Sequence, residues 1–364
     1  MKFKKLLLFL LVLFTNIIVN HQTVTAQQML PCPAVDAQGT RPRLNPIQSV
    51  SPQEQAGDRD IDDNIARKAI EVIGFFEAGG GDPWANVNNT DTISIGFMQW
   101  NWGTRSIITT LFRKTSRQDI ESAPSELQSD LRRLKDYSDN FNSSDKAQIA
   151  SSVISGWTRA VPNDVLVNGI RRSVRNNLTT WLNTAAMKSV QLRLMNRELG
   201  KAFFYARAWR RDTKSQKPID ARLVTYFFDL LTFNGGMQGL WTQHVRQFRS
   251  NYPTRKATIE TVTNWLASCD EFYSPNTQFH RLYNLRDALK NVTYWREKIA
   301  ENENAFDDEQ IDLLVLGLLR AQLSNGSDKP RGFPGIFQAD VLTRRGVIAL
   351  GGYARGSERP ITFF

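Results

Sequence analysis

Cysteine and histidine are scarce, at two and three residues in the whole chain, and that scarcity removes several chemistries at once. His21 falls in the apolar opening, which leaves His244 and His280 far apart with no His-Glu-x-x-His spacing, so a zinc hydrolase has no ligand set to rest on. No Gly-x-x-x-x-Gly-Lys run exists to cradle a phosphate. Ser94-Ile95-Gly96 matches only the second half of a nucleophile elbow, because Thr92 stands where the first glycine belongs and residues 86–90 form a polar turn instead of a buried strand. Long apolar runs are also missing after the opening segment. The strongest, Leu313 to Leu319, is seven residues bracketed by Asp312 and Arg320, which suits a buried helix and is too short to cross a bilayer.

What is present begins with an export signal. Lys2, Lys4 and Lys5 precede the apolar stretch Leu6 to Val19, and the small-residue stop Val24-Thr25-Ala26 follows. Residues 1–26 therefore read as a cleavable leader, which places the mature protein in the periplasm or outside the cell. Its removal lowers the formal charge from +10 to +7, still a basic balance that suits an anionic partner such as a cell-wall polymer or simply a soluble surface. Arg171-Arg172 and Arg210-Arg211 read as solvated helix faces, and nothing beyond charge points to nucleic acid. In an oxidising compartment Cys32 and Cys269 are candidates for one disulfide, although the sequence does not show that they meet.

Residues 27–59, rich in Pro, Gln and Ser without apolar period, read as an extended linker, and residues 60–364 as one large domain. Its helical period dominates. Acidic Asp60, Asp62 and Asp63 open a helix carrying Ile65, Ala69, Val72, Ile73 and Phe76, which Gly79-Gly80-Gly81 should end. A turn-rich stretch and the alternating Thr92 to Ile95 predict a small hairpin. Further helices are expected near 107–112, 127–134, 147–153, 178–182, 190–209, 258–266, 282–299 and 310–323. Another, opened by Pro218, should run from Ile219 to Asn234-Gly235-Gly236. Residues 330–360, basic and glycine-containing, read as irregular.

The stretch with most chemistry is Phe75-Phe76-Glu77 followed by Asp91-Thr92-Ile93-Ser94-Ile95-Gly96-Phe97-Met98-Gln99-Trp100-Asn101. A glutamate closes an aromatic helix, and an aspartate with two hydroxyl residues begins a hairpin shortly after. Glycoside hydrolysis asks for that division, with one carboxyl protonated in an apolar setting and another ionised among polar groups.

These motifs resemble the lysozyme-like superfamily, in particular its family 46 chitosanase and phage-type peptidoglycan hydrolase branches. Phe228-Asp229-Leu230-Leu231-Thr232-Phe233-Asn234-Gly235-Gly236 looks like the helix end that borders the cleft in those branches, and Ala339 to Arg345 is similar to a segment of such proteins. About thirty residues carry the likeness, and Glu77 and Asp91 are closer in sequence than a chitosanase has them. The resemblance implies a mainly α, α+β fold: a two-lobed helical domain with a small β-hairpin at the cleft. It implies hydrolysis of β-1,4 glycosidic bonds without a cofactor or metal. Glu77 would be the general acid and Asp91 the base, acting through water held by Thr92; an inverting outcome follows if the carboxyls stand roughly 6.5–9.5 Å apart.

Each assignment has a plainer counterpart. Asp91 and Thr92 are common turn residues. Ser94 on the substrate side of the hairpin positions the attacking water with Thr92 or merely faces solvent, Gln99 and Asn101 are candidates to bind sugar hydroxyl or acetamido groups, and Trp100 and Trp102 are stacking faces or core. Asp229 borders the cleft or pairs with an arginine, since a charge among Tyr226, Phe227 and Phe228 needs a partner. Asn234 contacts ligand or stops a helix. The partner expected is a polysaccharide, with peptidoglycan favoured by charge, chitosan as the alternative, and a non-catalytic glycan binder as the remaining reading; oligomeric state is open.

Overall fold

The computed structural model describes residues 62–78, 82–89, 92–232, 236–273, 283–324, 327–328, 333–334 and 336–364. The expected leader and linker lie outside the described residues, as do Cys32, Asp91 and Asn234. Cys269 is disulfide-bonded.

The protein is mainly helical with a small antiparallel sheet. Helix α1 (Asp63–Ala78) starts where Asp62 Oδ1 accepts from the backbone N–H groups of Asn64 and Ile65, at 2.9 and 3.0 Å. That cap satisfies donors with no partner inside the helix. Of its expected apolar stripe, Ala69, Val72, Ile73 and Phe76 are buried as the spacing predicts, while Ile65 is half-buried and its neighbour Ala66 is buried. A short 3-10 turn (Pro83–Ala85) then leads into β1 (Val87–Asn89), β2 (Ile93–Ile95) and β3 (Trp100–Asn101), ordered β1-β2-β3. Val87 pairs with Ile95 and Ile95 with Trp100, so three apolar side chains share one face of the sheet.

Beyond a π-helical turn (Ile107–Phe112) come α2 (Arg117–Glu121), α3 (Ser125–Asp139) and α4 (Ser144–Thr158). A two-stranded ribbon, β4 (Leu166–Val167) with β5 (Ile170–Arg171), precedes α5 (Arg172–Leu182). These elements and the sheet bury one apolar cluster, with Trp157 and Trp181 fully enclosed.

The 28-residue α6 (Ala185–Asp212) spans about 42 Å at the α-helical rise and joins that cluster to a second. Met187 and Val190 belong to the first; Met195, Leu199, Phe203 and Trp209 belong to the second. The second also takes in α1, α7 (Ala221–Thr232), α8 (Thr242–Asn251), α9 (Arg255–Tyr273), α10 (Tyr283–Glu301), α11 (Asp308–Gln322) and α12 (Ile336–Leu350). The short pair β6 (Ser327–Asp328) and β7 (Phe333–Pro334) links α11 to α12. Leu313 to Leu319 is the buried middle of α11. Among the described residues no helix is long and apolar enough to cross a membrane.

Two expectations are corrected. Helix α7 begins at Ala221 and not at Ile219, because Asp220 Oδ1 accepts from Leu223 N–H at 2.9 Å and acts as its cap. Much of the stretch 330–360, expected to be irregular, is α12. Its basic and glycine-bearing character does not mean exposure: Arg344 and Arg345 are 5% and 0% exposed, and Gly346 is a packing contact against Trp295.

After α12 the chain folds back. Gly352 and Ile361 exchange two backbone hydrogen bonds, Asn291 on α10 brackets Tyr353 through both its backbone groups, and Trp295 Nε1 donates to Gly351 O at 2.8 Å. The tail ends with Phe363 against Phe75 and Phe76, at ring separations of 5.5 and 5.7 Å. It thereby closes one side of the helix that carries Glu77.

Candidate active site

Glu77 sits in the last turn of α1, where carbonyls lack intrahelical partners. Asn86 supplies one, its Nδ2 donating to Glu77 O at 2.9 Å, and so fixes the helix end against the strand that follows. The side chain is 18% exposed and opens into a cleft of about 150 Å³. Asn86, Asn88 and Gln99 form the sheet side of that cleft, and Asp340, Thr343 and Arg344 of α12 form the opposite side. Asp287 from α10 and Arg355 from the folded-back tail line it as well.

A chain of charges runs behind the carboxylate. Arg344 Nη1 donates to Glu77 Oε1 at 2.7 Å, and Arg344 Nε donates to Asp229 Oδ1. Arg345 Nε reaches Asp229 Oδ2 at 3.2 Å. Asp229 is 0% exposed, and a carboxylate there is tolerable only because two guanidiniums flank it. Burial works against the charge on Arg344, but Asp229 and Glu77 outweigh it and hold the guanidinium above its ordinary range. The same cation stacks on Phe76, 4.9 Å from the ring centroid. Three helices thus converge to fix one glutamate.

Asp340 lies one turn before Arg344 on α12, with its carboxyl in a different environment. Burial pushes it up to about 6, reinforced by Glu77 and Asp229 and opposed by Arg344 and Arg355. Asp287 is 1% exposed and also raised by burial; its Oδ2 accepts from Gly356 N–H at 2.8 Å while Oδ1 has no hydrogen-bond partner.

The sheet side is preset. Asn88 Nδ2 donates to Gln99 Oε1, and Gln99 Nε2 donates to Gly96 O at 2.7 Å. Gln99 holds φ at 49°, a left-handed conformation that side chains larger than glycine adopt at a cost and that is typically found where a site over-determines the backbone. The turn is anchored from α6. Buried Gln191 accepts from Phe97 N–H at 2.8 Å and donates to Trp84 O and Leu182 O at 3.1 and 3.2 Å.

No family model, no curated protein and no solved structure matches the chain. The geometry alone carries the functional argument.

Of the residues singled out in sequence, Glu77 and Gln99 stand on the cleft wall. Thr92, Ser94 and Asn101 are engaged within the hairpin and its turn instead: Thr92 Oγ1 accepts from Gly103 N–H at 3.1 Å, Ser94 Oγ accepts from Asn101 Nδ2 at 2.8 Å, and Asn101 Oδ1 accepts from Thr104 N–H at 3.0 Å. They brace the hairpin and the turn after β3, apart from the residues lining the cleft. Trp100 is core, and Trp102 is capped by Arg105 at 4.6 Å. Asp229 is in the arginine-paired position, behind the cleft and not on its surface.

Sequence reasoning passed over Asn86, Asp287 and Arg355, and gave Asp340 and Arg344 no individual role. Asp340 and Arg344 had one available signal: two arginines and an aspartate spaced along an otherwise apolar helical period, which forces the charges inside. Among the described residues no group of three or more His, Cys, Asp or Glu side chains is arranged to hold a metal ion. What the cleft does offer is three carboxyls, one of them paired with an arginine, a second arginine and amides fixed in orientation, the equipment of acid and base chemistry on a polyhydroxylated substrate.

Proposed function

We propose that this protein is an exported, lysozyme-like glycoside hydrolase that cuts β-1,4 bonds of a cell-wall polysaccharide, with peptidoglycan the favoured substrate. The observation that carries the reading is Glu77: a carboxylate fixed at a helix end by Asn86 and Arg344, facing an amide-bearing sheet across a cleft. The two apolar clusters joined by α6 support a two-lobed body. Amides locked by their own hydrogen bonds, as in Asn88 and Gln99, discriminate among sugar hydroxyl and acetamido groups because they cannot rotate to suit a wrong one.

One observation favours chitosan as a second reading. Glu77, Asp287 and Asp340 line the cleft against Arg344 and Arg355, so the wall accepts an amino sugar more readily than the basic chain as a whole implies.

The test is reducing-end release from purified peptidoglycan and from chitosan by the mature protein and by Glu77→Gln. Release from one polymer, lost in the variant, supports the hydrolase and names its substrate. No release from either, with retained pelleting on the wall polymer, replaces the enzyme with a glycan-binding scaffold.

A further inference from the structure

The glycosidase reading leaves open which group delivers the proton. Glu77 is the carboxyl of the cleft that an arginine engages directly. A guanidinium donates to its Oε1 at 2.7 Å, and that guanidinium is itself pinned by Asp229, so one oxygen of this carboxyl is already committed to an ion pair. A second carboxyl shares the cleft, on α12, one turn from Arg344. No salt bridge or hydrogen bond of the described structure holds its charge.

We infer that Asp340 is the proton donor to the glycosidic oxygen and that Glu77 acts as the base, the reverse of the roles the sequence motif implies. This rests on the glycosidase reading above. The environments agree with the division: burial and the neighbouring charges of Glu77 and Asp229 keep the Asp340 proton to about pH 6, despite Arg344 and Arg355. Asp287 on α10 adds a third acidic group at the same cleft, which also disfavours a further negative charge there.

The step balances. The glycosidic C–O bond breaks with its electron pair passing to the leaving oxygen, which takes the Asp340 proton. Water attacks the anomeric carbon and gives a proton to the Glu77 carboxylate. One proton then moves through solvent from Glu77 back to Asp340, restoring both groups.

The decisive comparison uses substrates that need no protonation. Asp340→Asn, Glu77→Gln and the wild-type protein are assayed on the polymer that the wild type cleaves and on a dinitrophenyl glycoside of its repeating unit. Asp340→Asn is expected to lose at least a hundredfold on the polymer and to keep activity within about tenfold on the aryl glycoside, in line with the usual worth of a general acid. Glu77→Gln should lose both. The alkaline limb of the wild-type polymer profile, near pH 6, should vanish from the variant's aryl-glycoside profile.

Retained polymer cleavage by Asp340→Asn overturns the inference while leaving the glycosidase reading intact. So does the opposite pattern, in which Glu77→Gln keeps the aryl glycoside and Asp340→Asn does not. A wild-type protein that cleaves nothing removes both readings together. Asp340→Glu, which retains a carboxyl, guards against misfolding: partial recovery of polymer cleavage supports the role, and an unchanged loss in a variant that melts like wild type counts against it.

Discussion

At the scale of single residues, the cleft separates groups that are charged at a cost from groups whose charge is compensated. Asp229 and Arg344 are both buried, yet each has an opposite charge in contact. Asp340 has no salt bridge among the described residues, and burial raises its pKa despite the more distant Arg344 and Arg355. Its pKa rises from 3.8 to about 6 on folding, so above pH 6 the folded state carries an unfavourable charge that the unfolded chain carries freely. As pH falls through 6 the folded state takes up the proton first, and the contribution of this group to stability rises until about pH 4, where the unfolded chain protonates as well. Asp340→Asn is therefore expected to melt above wild type at pH 7.5, with the gap closing as pH approaches 4. Thermal melts of the two proteins across that range are the check. A gap that widens with acidity contradicts the assignment. Stability gained and activity lost by one substitution is the usual signature of a functional group held in an unfavourable setting.

At the scale of elements, the site depends on how α12 seats against α10. Gly346 faces Trp295 so closely that a β-carbon there would lie 2.2 Å from Cη2 and 2.7 Å from Cζ2. The indole is fully buried and tied to Gly351 O, so it has no room to turn away. Gly346→Ala must push the two helices apart, and overpacking of this kind costs about 1–3 kcal/mol. Because Asp340 and Arg344 ride on the same helix, the displacement should lower polymer cleavage further than the fraction unfolded explains. Denaturant unfolding paired with kcat/KM measures both effects. The same helix shows why the site was only half legible in sequence. Helix α1 announces itself by an acidic start and an apolar stripe, and Glu77 stands out at its end. Helix α12 hides, because a glycine and two arginines look like a loop until Asp229, more than a hundred residues away, neutralises them and Trp295 fills the space the glycine leaves. Likewise Thr92, Ser94 and Asn101 have the chemistry of ligand-binding residues, and only the folded chain shows that Ser94 and Asn101, paired by the register of β2 with β3, satisfy each other and that Thr92 satisfies the turn at Gly103.

At the scale of the whole molecule, the proposed function would have two fields act on a wall polymer. The chain carries a formal charge of +10, or +7 without residues 1–26, and such a surface gathers an anionic polymer over distances set by the Debye length, about 8 Å at physiological salt. The cleft is not an extension of that field. Glu77, Asp287 and Asp340 more than offset Arg344 and Arg355 along its wall, so under the proposed function a sugar bound there would meet little net attraction from charge and would be recognised by fixed amides and carboxyls. Capture and cleavage should therefore respond differently to salt. Pelleting with peptidoglycan is expected to fall severalfold between 50 and 500 mM NaCl, as the Debye length shrinks and exposed charges are screened. Turnover of a short uncharged oligosaccharide, which never samples the outer field, should change by less than about twofold over the same range, because the ion pairs behind Glu77 are buried and screened far less. Parallel loss of both would mean that the basic surface reaches into the cleft, and that the polymer is positioned for cutting by its charge and not by its sugars.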